Sequence, residues 1–308
     1  MKVAFIGLGK MGGNLALQVL EKGYEVIGFD INEAALAQFQ QPNVVNREHM
    51  TMFTHFEAFI QQIEAGDIVF ILVPHGDITT KTLQQLVDTL PAGVHVIEGG
   101  NSHYKEAMEW ASIFEQAQIH YFDMGTSGGL SGARNGMCAM VGGDEQAFEA
   151  IRPLLTDVCC DNGLLYTGPA GSGHFLKMVH NGIEYGMMQA IAEGFDILEQ
   201  SPFTYNYKDV STLWNNGSVI RSWLMELLID VFDESPQLEH LAGKMNASGE
   251  AQWLVEEAMD LKVPVPVIAL SLMVRNRSLQ DDTFSGKVVS ALRQAFGGHS
   301  VEKVKHNG

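Results

Sequence analysis

The run GHFLKMVHNGIEYG, from Gly173 to Gly186, places Lys177, His180, Asn181, Glu184 and Tyr185 close together in sequence. An α-helix turns by about 100° per residue, so these five side chains fall within an arc of roughly 140°. One helix face thus offers a base, an acid and several hydrogen-bonding groups, the equipment of general acid–base catalysis. The solvated side of an amphipathic helix could look the same. Gly171, Gly173, Gly182 and Gly186 argue otherwise, because each costs about 1 kcal/mol relative to Ala inside a helix. Glycines at that cost imply that something approaches the backbone closely.

The elements that must position this face begin at the N-terminus. Lys2 to Ile6 reads as a short strand, followed by Gly7-Leu8-Gly9-Lys10-Met11-Gly12 and a periodic helix from Leu15 to Lys22 that stops at Gly23. A second apolar strand, Glu25 to Phe29, ends at Asp30. Strand, glycine turn, helix, strand and terminal acid is the order of a dinucleotide-binding unit. Gly7 permits the tight turn, Gly9 lets a pyrophosphate reach the backbone, and Gly12 lets the helix lie against the strand. The amides of the turn and the helix start face the phosphate charge. Asp30 can accept both ribose hydroxyls and would repel a 2′-phosphate, so NAD is expected over NADP.

Strands and helices then alternate: Asp67 to Val73, Thr79 to Leu90, Val94 to Ile97, Glu106 to Gln116 and Ile119 to Asp123. Near-continuous apolar strands are buried on both faces, which predicts a doubly wound parallel sheet covered by helices. Ligands sit beyond the carboxyl ends of such strands. Val73, Asn101 and the Ser127-Gly128-Gly129 turn fall there, Asn101 suited to the nicotinamide and the turn to a carboxylate. From Gly171 onward the pattern is helical: about 171–199, then 210–232, 251–262, 267–277 and 286–296. The expected division is a Rossmann-type domain over 1–170 and an all-helical domain with a C-terminal tail over 171–308.

Composition bounds the alternatives. The 308 residues are 46% hydrophobic and carry a formal charge of -18, which argues against nucleic acid or an anionic membrane as partner. The longest apolar stretch, around Val263 to Val274, contains two prolines and is too short to span a bilayer. Cys138, Cys159 and Cys160 have no metal-ligand spacing and read as reduced thiols of a cytoplasmic protein. No metal is expected.

Three segments carry a family resemblance: GGNSHY at Gly99 to Tyr104, SGGLSGARNG at Ser127 to Gly136, and GHFLKMVHNGIEYG itself. They resemble the signatures of 6-phosphogluconate dehydrogenase, the decarboxylating enzyme of the pentose phosphate pathway, and the likeness runs on to Arg293 and His299. The resemblance implies that Lys177 is the base on the C3 hydroxyl and Glu184 the acid that protonates C1 of the product. It implies that Ser127, Gly128 and Gly129 hold the substrate carboxylate, with Asn101, His180 and Asn181 on the hydroxyls and the nicotinamide. Tyr185, Arg275, Arg293 and His299 match residues at the phosphate end of the sugar acid.

The chain resembles the short, mostly NAD-linked branch, and Asp30 fits that branch. Where long members have Lys-Gly-Thr-Gly-Lys-Trp, this chain has Ser248-Gly-Glu250-Ala-Gln-Trp253. A short chain lacks the duplicated helical segment of the long members, so its helices are expected to pack on a second copy as a homodimer or homotetramer. A 3-hydroxyisobutyrate-type dehydrogenase would share the fold, the Ser-Gly-Gly turn and Lys177 with Asn181. It would not need His180, Glu184, Tyr185 or Arg293. A non-catalytic NAD-binding redox sensor would not need Lys177 or Glu184.

Overall fold

A computed structural model of the chain describes residues 1–42, 44–297, 300 and 302. It divides into two compact units, residues 1–181 and 182–308.

The first unit is built on an eight-stranded sheet. Its strands are β1 (Lys2–Ile6), β2 (Glu25–Phe29), β3 (Met50–Phe53), β4 (Ile68–Ile71), β5 (His95–Glu98), β6 (His120–Ser127), β7 (Met137–Gly143) and β8 (Cys159–Gly168). Their spatial order is β3-β2-β1-β4-β5-β6-β7-β8. The first six follow the dinucleotide-fold order, with the reversal between β1 and β4. All neighbours are parallel except β6 and β7, which run antiparallel.

The apolar strands are buried on both faces. One face packs around Phe5, Leu8, Phe70 and Phe122, and the other around Ile6, Phe59, Leu83 and Phe114. The Phe5 and Phe70 rings stack at 5.1 Å. Each such side chain contributes about 1.5–3 kcal/mol by leaving water, so the strand ends that carry the site rest on a stiff platform.

Three strands lie outside the sequence expectation. β3 is a four-residue edge strand with partly exposed side chains, too short and too wet to stand out. β7 and β8 are interrupted by register shifts between Met137 and Ala139 and between Val141 and Gly142, which blur their alternation. The first helix starts at Lys10, inside the glycine turn, not at Leu15.

The second unit is helical. The long helix Ser172–Glu199 runs from the first unit into it, followed by Tyr207–Asn215, Trp223–Glu234, Gly249–Asp260, Pro266–Ser278 and Phe284–Gly297. The single helix expected over 210–232 is two. Gly217 takes φ +82 after Asn216, and Ser222 caps a fresh helix by accepting from the Met225 amide. No helix among the described residues is long and apolar enough to cross a membrane.

Candidate active site

At the reversal between β1 and β4 a cleft of about 530 Å3 opens, lined by Gly7, Gly9, Lys10, Met11, Asp30, Val73 and Asn101 among others. Gly7 has φ +89, and a Cβ there would come within 2.7 Å of the Leu72 carbonyl oxygen. A Cβ on Gly12 would meet the Gly7 carbonyl oxygen at 2.0 Å, so the helix can lie on the turn only because Gly12 is bare. Gly9 has nothing within 4 Å of where its Cβ would be. That open floor, at the N-cap of the helix Lys10–Glu21, has the shape and polarity a pyrophosphate needs.

Asp30 does more than await a ribose. Its Oδ2 accepts from the Leu8 amide at 2.7 Å and its Oδ1 from the Asn32 amide at 2.8 Å, so the acid also fastens the glycine turn. Both oxygens retain lone pairs for further donors. Leu8 faces the core with its side chain fully buried. Asn101 holds φ +58, and its buried Oδ1 has no hydrogen-bond partner among the described residues. An orphaned acceptor in the cleft wall fits a carboxamide donor such as that of nicotinamide. The residues present therefore fit an NAD-type dinucleotide.

The long helix is seated on the sheet by glycines on both sides of the contact. A Cβ on Gly125 of β6 would lie 2.3 Å from the Lys177 Cβ, and one on Gly173 would lie 2.4 Å from the Asp123 carbonyl oxygen. In the second unit, a Cβ on Gly182 would lie 2.0 Å from Leu254 Cδ2. What approaches these backbones is the protein's own packing. The fully buried Asp123 carboxylate caps the helix start, accepting from the Gly171 amide at 2.6 Å and the His174 amide at 2.7 Å. A carboxylate suits that end of the helix dipole.

Lys177, thus placed, is 8% exposed, and Asn181 is equally buried. Ser127 Oγ lies 3.0 Å from His180 Nε2, His180 Nδ1 lies 3.1 Å from Asn181 Oδ1, and Lys177 Nζ lies 3.5 Å from His180 Nδ1. A proton on Nδ1 donates to Asn181 and leaves Nε2 to accept the Ser127 hydroxyl. Gly128 at φ +111 and Gly129 at φ +57 continue from Ser127 in the left-handed region that glycine tolerates. Cys138 is cross-strand from Ser127; burial and the neighbouring Cys160 push its thiol up, while the Lys177 charge acts in the opposite direction. All three cysteines are free thiols.

In the second unit, Tyr185 is buried, and its hydroxyl lies 3.0 Å from Ser248 Oγ while accepting from the Ser248 amide at 2.9 Å. The Arg275 guanidinium stands 3.5 Å over the Tyr185 ring, a cation–π contact. Two residues distant in sequence are thereby brought together. Glu184 is half-buried on the long helix, and Arg293 lies exposed on Phe284–Gly297. His299 falls outside the described residues. Glu250 is buried with Oε2 unpartnered among the described residues.

Comparison with known proteins shows the family. Residues 2–167 match the family described as the NAD binding domain of 6-phosphogluconate dehydrogenase, and residues 173–295 match its C-terminal domain. The chain belongs to the 6-phosphogluconate dehydrogenase family. Among its relatives, "Putative 6-phosphogluconate dehydrogenase YqeC" of Bacillus subtilis is 50% identical, with 98% of this chain and 100% of that one covered. The NAD(+)-dependent, decarboxylating 6-phosphogluconate dehydrogenase of Haloferax volcanii is 36% identical, over 98% and 99%. Among solved structures, the 6-phosphogluconate dehydrogenase of Plasmodium falciparum superposes with a TM-score of 0.81 at 25% identity, covering 100% of this chain and 67% of that one. Family membership makes the chain a dehydrogenase-type oxidoreductase with an NAD-binding domain.

Asp123, Glu98 and His174 were not evident as functional candidates. Each is a buried charged or polar residue: Glu98 closes β5, Asp123 lies within β6 and His174 stands at the start of the glycine-rich helix. An acid closing an otherwise apolar run was the available signal.

Proposed function

We propose that the chain catalyses NAD-linked oxidative decarboxylation of 6-phosphogluconate to ribulose 5-phosphate and carbon dioxide. The observation that carries this is the buried Lys177 beside the linked Ser127, His180 and Asn181. Nicotinamide, when bound, accepts the hydride leaving C3. Lys177 takes the C3 hydroxyl proton as the C3 carbonyl forms, which requires its amine to be neutral at that moment. Protonated, it then donates to the carbonyl oxygen while the C1–C2 bond breaks. The bonding pair flows into an enolate that the ammonium group stabilises, and C1 leaves as carbon dioxide. Glu184, two turns further along the same helix, protonates the carbon that becomes C1 of the product. Ser127, Gly128 and Gly129 hold the departing carboxylate.

Tyr185 and Arg275, with Arg293 and His299, receive the phosphate end. Asp30 favours NAD over NADP by repelling a 2′-phosphate. The chain is read as a cytoplasmic homodimer or homotetramer of the pentose phosphate pathway, with no nucleic-acid or membrane partner. Support for self-association is the apolar surface of the second unit, where Leu213, Val219, Phe284 and Leu292 are each more than half exposed. A comparison of kcat/KM with NAD for 6-phosphogluconate, gluconate and 3-hydroxyisobutyrate tests the reading. Preference for 6-phosphogluconate supports it; preference for 3-hydroxyisobutyrate returns the chain to that other chemistry.

A further inference from the structure

Glu98 closes β5 and is fully buried beside Asp123, its register partner on β6. The two carboxylates divide their work. Asp123 uses both oxygens on the start of the long helix. Glu98 Oε1 accepts from the Gly100 amide at 2.6 Å, and its Oε2 faces His174 Nδ1 at 3.6 Å. The Glu98 and His174 side chains are 0% and 1% exposed. Among the described residues, Glu98 Oε2 and both His174 ring nitrogens have no hydrogen-bond partner.

Burying a carboxylate and an imidazole is costly where apolar side chains would pack well. A role in placement accounts for the pair. Asn101 follows Glu98 by three residues, in the loop that the Glu98–Gly100 bond fastens. Lys177 follows His174 by three residues, one helical turn along. We propose that Glu98 and His174 are positioning residues that lock the nicotinamide-side loop of Asn101 against the helix of Lys177. This rests on the roles proposed above for Lys177 and Asn101. Neither side chain touches substrate; the pair sets the distance over which the hydride and the proton leave C3.

The test uses the full-length enzyme with Glu98→Gln, His174→Leu and His174→Asn. Glu98→Gln is nearly isosteric and keeps an acceptor for Gly100, while His174→Asn carries a nitrogen where Nδ1 stands. Two readouts are taken: the NAD dissociation constant, and kcat per NAD-binding site with the deuterium isotope effect on 6-phosphogluconate deuterated at C3. Glu98→Gln keeps the Gly100 bond and loses the charge facing His174, so it should weaken NAD by about fivefold, the worth of one polar contact. His174→Leu should lower kcat per site by about tenfold with a raised isotope effect, as expected of misplaced reacting atoms. His174→Asn should recover most of that loss.

A lowered melting temperature with NAD affinity, kcat per site and isotope effect all within about twofold of wild type would make the pair merely structural and overturn the proposal. Leu and Asn behaving alike at 174 would overturn it too. Should the wild type fail to oxidise 6-phosphogluconate, the functional reading falls alone, because the NAD measurement still decides whether the Glu98 carboxylate, through its contact with His174, holds the loop in place.

Discussion

The Ser127 hydroxyl oxygen lies 3.0 Å from His180 Nε2, joining the last residue of β6 to the long helix one turn beyond Lys177. A group at the end of a rigid strand is thereby linked to the polar face of a helix. Because Lys177 Nζ lies 3.5 Å from the other ring nitrogen, any change at Lys177 is felt along this chain of contacts.

Lys177→Met should therefore remove turnover by a factor of about 10^2–10^4, the usual worth of a general acid–base group. NAD binding should persist, since the glycine turn is untouched. Glu184→Gln should cost less, because water can partly replace a late protonation. Stopped-flow turnover and NAD titration of the purified variants check both; near-wild-type rates in Lys177→Met contradict the mechanism.

Cofactor choice is expected to turn on Asp30. Steady-state kinetics should give the higher kcat/KM with NAD, and Asp30→Ala should narrow the gap to NADP. Because Asp30 also accepts from the Leu8 amide, the variant should lose efficiency with NAD as well as repulsion of NADP. A wild-type preference for NADP refutes the assignment.

Gly125→Ala tests the seating of the helix. Its new methyl would come within 2.3 Å of the Lys177 Cβ and 3.0 Å of the Gly173 carbonyl oxygen, a stem and a backbone that cannot swing aside. Overpacking of this kind costs about 1–3 kcal/mol. Denaturant unfolding should show that loss together with a fall in kcat, and a variant equal to wild type in both would show that the helix can shift freely.

Stability should also depend on His95. Burial, reinforced by the stacked His120 ring at 4.9 Å, lowers its pKa below the ordinary histidine value. The folded state thus holds the neutral ring. Below an unfolded pKa of about 6.5 the unfolded chain binds the proton first, so this stability is present above that pH and lost as pH falls towards the folded value. Melting temperatures from pH 7.5 to 5.5 should fall more steeply for wild type than for His95→Gln; parallel curves would show that His95 carries none of this pH dependence.

Much of this was legible in the residues. Gly7, Gly9, Gly12 and Asp30 announced the dinucleotide unit because each meets a backbone demand at fixed spacing. The helix of Lys177 announced itself through its polar face. What stayed hidden depends on contacts between distant segments. The Asp123 cap joins residues about fifty apart, and the Arg275–Tyr185 stack joins different helices. The glycines of the long helix were legible as close-approach sites, but only the fold shows that strands and helices of the same chain fill them. The 210–232 segment misleads because its apolar spacing continues across Gly217, where the backbone turns over.

Hydride loss and decarboxylation are expected to occur at one site. Incubation of the wild-type protein with 6-phosphogluconate and NAD, following NADH by absorbance and carbon dioxide by trapping, tests it most directly. One carbon dioxide per NADH is expected throughout the time course, with both lost in Lys177→Met. NADH formed without carbon dioxide, or neither product from folded protein that binds NAD, would contradict it.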